Sequence, residues 1–197
     1  MIIKKIKKLI RKSTYFNYFK GYTYYKMGKM EETQQHIEVI LTNKSEYSPA
    51  IQLLMSIGIV KNNKKIVAQA FDLIAHKPKT SQLDYLTMVY GLVYLGQYSL
   101  AEQYLKKIYL RKYKNDVILI KADIAADKNE YKTALNILRK IGELERIKDP
   151  YVLVRIGRYM IELGDKDDAL LYLNKAQVKG DTIVIKDVNE LLKKFYE

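Results

Sequence analysis

Five residues set the frame of this chain. Gly28, Asn62, Gly96, Asn129 and Gly164 follow one another at steps of 34, 34, 33 and 35. Gly and Asn best tolerate the left-handed backbone of a helix C-terminus, so each reads as the stop between one helix and the next. The apolar pattern repeats around these stops. Seven residues before them stand Gly21, Met55, Val89, Ala122 and Gly157, and five residues after them Thr33, Val67, Ala101, Ala134 and Ala169. Small or narrow residues at those two places let antiparallel helices cross closely. Nine and twelve residues after the stops come Ile37 and Ile40, Phe71 and Ile74, Leu105 and Ile108, Leu138 and Ile141, then Leu173 and Ala176. The pattern is clearest from Pro150 to Ala176. There Leu153, Ile156, Gly157 and Met160 share one helical face, and Ala169, Leu173 and Ala176 face them from the next helix. The expectation is five helical hairpins in series.

This pattern resembles the tetratricopeptide repeat, a helix-turn-helix unit of about 34 residues, over roughly residues 14 to 180. The resemblance implies an all-α fold, a right-handed superhelical solenoid of antiparallel helix hairpins. On this reading residues 1–13 form a basic amphipathic N-terminal helix, 14–181 the hairpins and 182–197 a C-terminal capping helix. Some positions depart from the pattern. Asn17 and Lys20 stand where apolar residues are expected, Lys121 does so in the fourth hairpin, and Gly58 falls in mid-helix, at a cost of about 1 kcal/mol against Ala. In the last segment Asp187 with Glu190 reads as an N-terminal capping arrangement. Val188, Leu191, Leu192 and Phe195 then form one stripe opposite Lys193, Lys194 and Glu197. The stripe suits a cap over the last hairpin or, alternatively, a dimer contact.

The resemblance also assigns a binding face, because the first helix of each repeat lines the concave side of a tetratricopeptide superhelix. The residues placed there in the first hairpin are Tyr15, Tyr18, Phe19, Tyr22, Tyr25 and Lys26. The second hairpin contributes Gln52 and Ser56, and the third Leu83, Leu86, Thr87, Tyr90, Val93 and Tyr94. The fourth brings Asp116, Leu119, Ile120, Asp123, Ala126 and Asp127, and the fifth Tyr151, Val154, Arg155, Arg158, Ile161 and Glu162. Such a groove passes from aromatic to charged. Tyrosine offers stiff apolar area with a hydroxyl at its tip, which suits a bound peptide or helix. The Lys and Asn clamp by which some relatives hold a chaperone's C-terminal carboxylate is missing, since Tyr18, Tyr22, Leu53, Leu83 and Thr87 occupy its positions.

Charge is placed unevenly. The first thirty residues carry nine Lys or Arg and no acid, leaving 26 basic against 22 acidic residues beyond them. Within Met1 to Lys12, Ile2, Ile3, Ile6, Leu9 and Ile10 lie along one helical face, with Lys4, Lys5, Lys7, Lys8, Arg11 and Lys12 around the other. No apolar run there reaches the length of a signal-peptide core or of a span. Three uses suit the segment: a cap on the first hairpin, attachment to an anionic membrane surface, or contact with an acidic protein or nucleic acid. The absence of cysteine excludes disulfides and thiol chemistry and agrees with a reducing compartment. The expected location is accordingly the cytoplasm, with peripheral attachment at the inner face of the membrane as the variant.

Catalytic signals are thin. His36 and His76 lie on second helices without a ligand pattern beside them, and no Gly-rich phosphate loop, nucleophile elbow or zincin motif occurs. Asp123 and Asp127, one helical turn apart, have the spacing to share a cation, although acids so placed usually form a solvated face. No cofactor or metal is expected. The sequence therefore points to a non-enzymatic adaptor or scaffold that binds a peptide or helical segment of a partner protein in a Tyr-rich groove. The alternative is a membrane-surface or nucleic-acid binder acting through residues 1–30, of which nucleic acid fits less well.

Overall fold

The structure is a computed structural model, and it describes residues 13–196. Residues 1–12, to which the basic amphipathic helix with Lys4, Lys5, Lys7, Lys8, Arg11 and Lys12 was assigned, lie outside the described residues. Eleven α-helices run in order among those described: α1 (Thr14–Lys26), α2 (Met30–Asn43), α3 (Ser48–Val60), α4 (Lys64–Ala75), α5 (Gln82–Tyr94), α6 (Tyr98–Leu105), α7 (Lys114–Asp127), α8 (Tyr131–Leu138), α9 (Pro150–Leu163), α10 (Lys166–Lys179) and α11 (Thr182–Tyr196). Short 3-10 turns precede α7 and α9. The chain forms two compact units, one ending at Tyr109 and the other beginning at Leu110. The first holds hairpins α1/α2, α3/α4 and α5/α6. The second holds α7/α8 and α9/α10, followed by α11.

The five stops all adopt the left-handed backbone, with φ of 73° at Gly28, 49° at Asn62, 71° at Gly96, 62° at Asn129 and 82° at Gly164. Each turn is closed by the same two bonds. The stop residue's N–H donates to the carbonyl three residues back, as Gly164 does to Ile161 at 3.0 Å. The following N–H donates to the carbonyl five residues back, as Asp165 does to Met160 at 2.9 Å. This pair of bonds satisfies carbonyls that a helix end would otherwise leave open. The residues on either side of the stops are buried as their spacing predicts, and Val89, Ala101, Ala122, Ala134 and Ala169 show no exposure. At Gly157 an added Cβ would lie 2.7 Å from Leu173 of the facing helix.

Two departures from the repeat pattern have physical causes. Asn17 is buried against α2, where its side-chain oxygen pairs with Nδ1 of His36 at 2.9 Å and its amide donates to the Ser13 carbonyl. A polar pair thus replaces an apolar one, with the His36 ring stacked on Tyr24. Gly58 marks the closest approach of α3 to α4. A Cβ there would fall 2.9 Å from the backbone nitrogen of Val67 and from its Cγ2. Ala is the better helix former by about 1 kcal/mol, yet Gly58→Ala is expected to destabilise the protein by about 1–3 kcal/mol, because backbone cannot yield as a side chain does. Urea unfolding checks the sign, and a gain in stability would mean that α3 and α4 do not approach this closely.

The second helices of the third and fourth hairpins are short. They end at Leu105 and Leu138, so Ile108 and Ile141 sit in i to i+3 turns beyond them rather than on the helix. The capping arrangement expected at Asp187 and Glu190 is corrected. α11 begins at Thr182, and the Asp181 carboxylate accepts from the N–H groups of Ile183 and Val184, each at 3.1 Å. Asp187 and Glu190 lie inside the helix, where backbone donors are already used.

Candidate functional site

In the first unit the aromatic side chains of α1 divide by depth. Tyr18 and Tyr25 are half-buried and pack against a core that includes Ile37, Ile51, Leu54 and Met55, as do Tyr47 and Tyr94. Tyr18 stacks on Tyr22 with ring centroids 6.2 Å apart, and meets Tyr47, the residue preceding α3, edge-on at 5.9 Å. Burial pushes the Tyr18 hydroxyl pKa up, with Tyr22 and Tyr47 adding to it. Tyr15 and Phe19, in contrast, remain 78% and 71% exposed. The Lys26 ammonium lies 5.7 Å over the Tyr22 ring. On α3 the groove positions Gln52 and Ser56 are half-buried, and the Ser56 hydroxyl donates to the Gln52 carbonyl at 3.1 Å. On α5 Tyr90 is half-buried, and the Tyr94 hydroxyl donates to the Asn62 side chain at 2.6 Å, joining the third hairpin to the turn of the second.

Several positions that the resemblance put on this face are interior. Leu86 and Thr87 are buried, the Thr87 hydroxyl being spent on the Leu83 carbonyl at 2.8 Å. Ile120, Ala126 and Val154 are buried likewise in the second unit. On α5 the cause is the packing of this helix on α3, which covers residues midway between the hairpin interface and the open face.

In the second unit Asp123 of α7 is held by α9. Arg155 donates from Nε to both carboxylate oxygens at 2.8 and 3.0 Å and from Nη2 at 2.9 Å, while the Tyr159 hydroxyl donates to Oδ1 at 2.6 Å. Two-pronged binding of this kind is a strong form of ion pair. Burial, reinforced by the Asp123 charge, drives the Tyr159 hydroxyl pKa far up, so it stays protonated and able to donate to Asp123. Asp123 is therefore committed to Arg155 and Tyr159, and the reading in which it shares a cation with Asp127 is corrected. Asp127 and Arg158 are exposed. Arg158 lines a cleft of about 300 Å³ with Ile161 and Glu162 of α9 and Asp187, Glu190 and Leu191 of α11. Burial raises the Asp187 pKa against the opposing charge of Arg158.

A further polar cluster joins the second and third hairpins. Lys77, in the connection after α4, contacts the Asp84 carboxylate of α5 and donates to the Ser48 hydroxyl at 2.6 Å. Ser81, the N-cap of α5, donates to the same Asp84 oxygen from its backbone and hydroxyl, each at 2.7 Å. Ser81 to Asp84 spells a capping box, a signal the sequence does carry. Nothing local marks Lys77 as its partner. Among the described residues no group of three or more His, Asp or Glu side chains is placed to hold a metal ion, and no helix is long and apolar enough to cross a membrane.

No family model matches this sequence, and no curated protein does either. The fold has a clear likeness among solved structures. A tetratricopeptide repeat protein from Parabacteroides merdae ATCC 43184 superposes with a TM-score of 0.72 at 18% identity, over 92% of this chain and 70% of that one. With the five left-handed stops and paired helices, this identifies an all-α, tetratricopeptide-repeat-like helical fold.

Proposed function

We propose that the chain is a non-enzymatic adaptor or scaffold that holds a peptide or helical segment of a partner protein on the Tyr-rich face of its first unit. The observation that carries this reading is the rigid cluster in which Tyr18 stacks on Tyr22 and abuts Tyr47. Rings fixed in this way give contact area with little entropy left to lose. Tyr25, Gln52, Ser56, Tyr90 and Tyr94 extend the face, the Ser56 and Tyr94 hydroxyls as acceptors since their protons go to Gln52 and Asn62, and Tyr15 and Phe19 edge it. In the second unit the exposed Asp127 and Arg158 offer polar contacts of either sign, whereas Asp123 and Arg155 chiefly hold each other.

The test is a capture experiment followed by a binding measurement. A protein retained from the source lysate by the wild-type chain is titrated against wild type and against Tyr18→Ala with Tyr22→Ala and Tyr90→Ala. Aromatic anchors at interfaces are worth about 2 kcal/mol or more apiece, so affinity is expected to fall by at least about a hundredfold while circular dichroism stays unchanged. Retention of the partner by the folded triple variant would place the binding surface elsewhere.

A further inference from the structure

The outer arc of α1 has a chemistry of its own. Tyr15, Phe16, Phe19 and Met27 are exposed large apolar side chains. At helical spacing they share an arc with Lys20, Thr23 and Lys26, opposite Asn17 and Gly21, which are buried. Lysines lie over the rings, the Lys20 ammonium 4.7 Å above Phe16 and the Lys26 ammonium 5.7 Å above Tyr22. No acidic residue interrupts the arc, and none occurs anywhere in the first thirty residues, which carry nine basic ones.

We propose that this arc of α1 is an attachment surface for an anionic lipid bilayer. Three properties select a bilayer. The arc is the outer side of a single helix and therefore convex, so it suits a planar, fluid partner that needs no matching shape, whereas a peptide needs a concavity. Its apolar members are rings and a thioether that can enter the boundary between headgroups and acyl chains, with the Tyr15 hydroxyl left at headgroup level. Its charge is of one sign, and the adjoining stretch of sequence carries six more basic residues among the first twelve, so the arc offers lipid phosphates cations. This goes beyond the peptide face, whose centre is the cluster of Tyr18, Tyr22 and Tyr47 and which Tyr15 and Phe19 only edge.

The full chain is sedimented with vesicles of phosphatidylcholine alone and of phosphatidylcholine mixed with phosphatidylglycerol, at low and high salt. Tyr15→Ser with Phe19→Ser tests the rings, Lys20→Glu with Lys26→Glu the charges, and Val178→Ser, an exposed site in the second unit, serves as control. The expected result is binding to the anionic vesicles that falls about tenfold or more in high salt and about tenfold in each α1 variant. Val178→Ser and Tyr90→Ala should bind as wild type does, with helicity unchanged throughout. Equal binding to both vesicle types, or full binding by both folded α1 variants, overturns the proposal. So does a dimer that the ring variant dissolves, which would make the arc a contact between copies. Binding of a single-stranded oligonucleotide in place of vesicles overturns it too. If the ring variant fails to fold, the charge variant alone decides.

Discussion

Asp84→Ala is expected to lower stability by about 3–5 kcal/mol, the usual cost of removing one partner from a buried ion pair. The Asp84 side chain is 1% exposed and that of Lys77 5%. Without the carboxylate, the Lys77 ammonium stays buried with the Ser48 hydroxyl, and Ser81 loses the reciprocal half of its capping box. The pair also ties the start of α3 to the start of α5, so its loss should loosen hairpins two and three together. Lys77→Met added to Asp84→Ala should cost less than the two single changes summed, because the second change removes the stranded charge. Acid gives a second reading. Burial pushes the Asp84 pKa up, but the hydrogen bonds from Lys77 and Ser81 outweigh it and hold the pKa below the ordinary aspartate value. A folded pKa below the unfolded one means that the contribution is complete at neutral pH. It is lost as pH falls below about 3.9 and on through the folded value. Urea unfolding at neutral and acid pH checks both statements. A cost under about 1 kcal/mol for Asp84→Ala at pH 7 would show that the pair does not hold the hairpins together.

The parts of the fold legible in the sequence are those set by strictly local requirements. A left-handed residue must be one that tolerates φ above zero, and a close crossing needs a small side chain, so Gly28, Asn62, Gly96, Asn129 and Gly164 reported both the hairpins and their phase. Pairings across hairpins were harder to see. Asn17 stood out as polar at a core position, but its partner His36 lies nineteen residues on, and neither residue type names the other. Gly58 carries an ambiguous signal, because a helical glycine costs stability by propensity and only the approach of Val67 shows what it allows. Asp123 and Arg155 sit about one repeat apart on successive first helices, a spacing that puts them within reach of each other. The start of α11 follows the nearest side-chain acceptor. Asp181, two residues before the apolar run Ile183, Val184, Ile185, is the better N-cap candidate than Asp187.

Truncation before Asp181 is expected to have the largest effect on the second unit. α11 packs on α9 and α10, and Val184 and Val188 are fully buried in the same core as Val152, Leu153, Ile156, Leu173 and Ala176, with Leu191 and Leu192 packed at its edge. Phe195 is half-buried, with the Lys166 ammonium 5.1 Å over its ring, so the stripe on this helix is used within the chain. A fully buried Val contributes about 1.5–3 kcal/mol relative to exposure, so Val184 and Val188 alone supply a large share of the stability of a typical domain, and Leu191 and Leu192 add to it. Their removal would also uncover an apolar face on α9 and α10, and such a face on a helical repeat is a site for self-association unless another helix covers it. The truncated chain should therefore aggregate and lose the cooperative unfolding of the second unit, while Tyr151, whose hydroxyl donates to Asp181 at 2.7 Å, loses that partner too. Sedimentation velocity and urea unfolding of the full and truncated chains decide the matter. A full-length dimer that becomes a stable, cooperatively folding monomer on truncation would show instead that Leu192 and Phe195 join two copies, and that the core of α9 and α10 stands without α11.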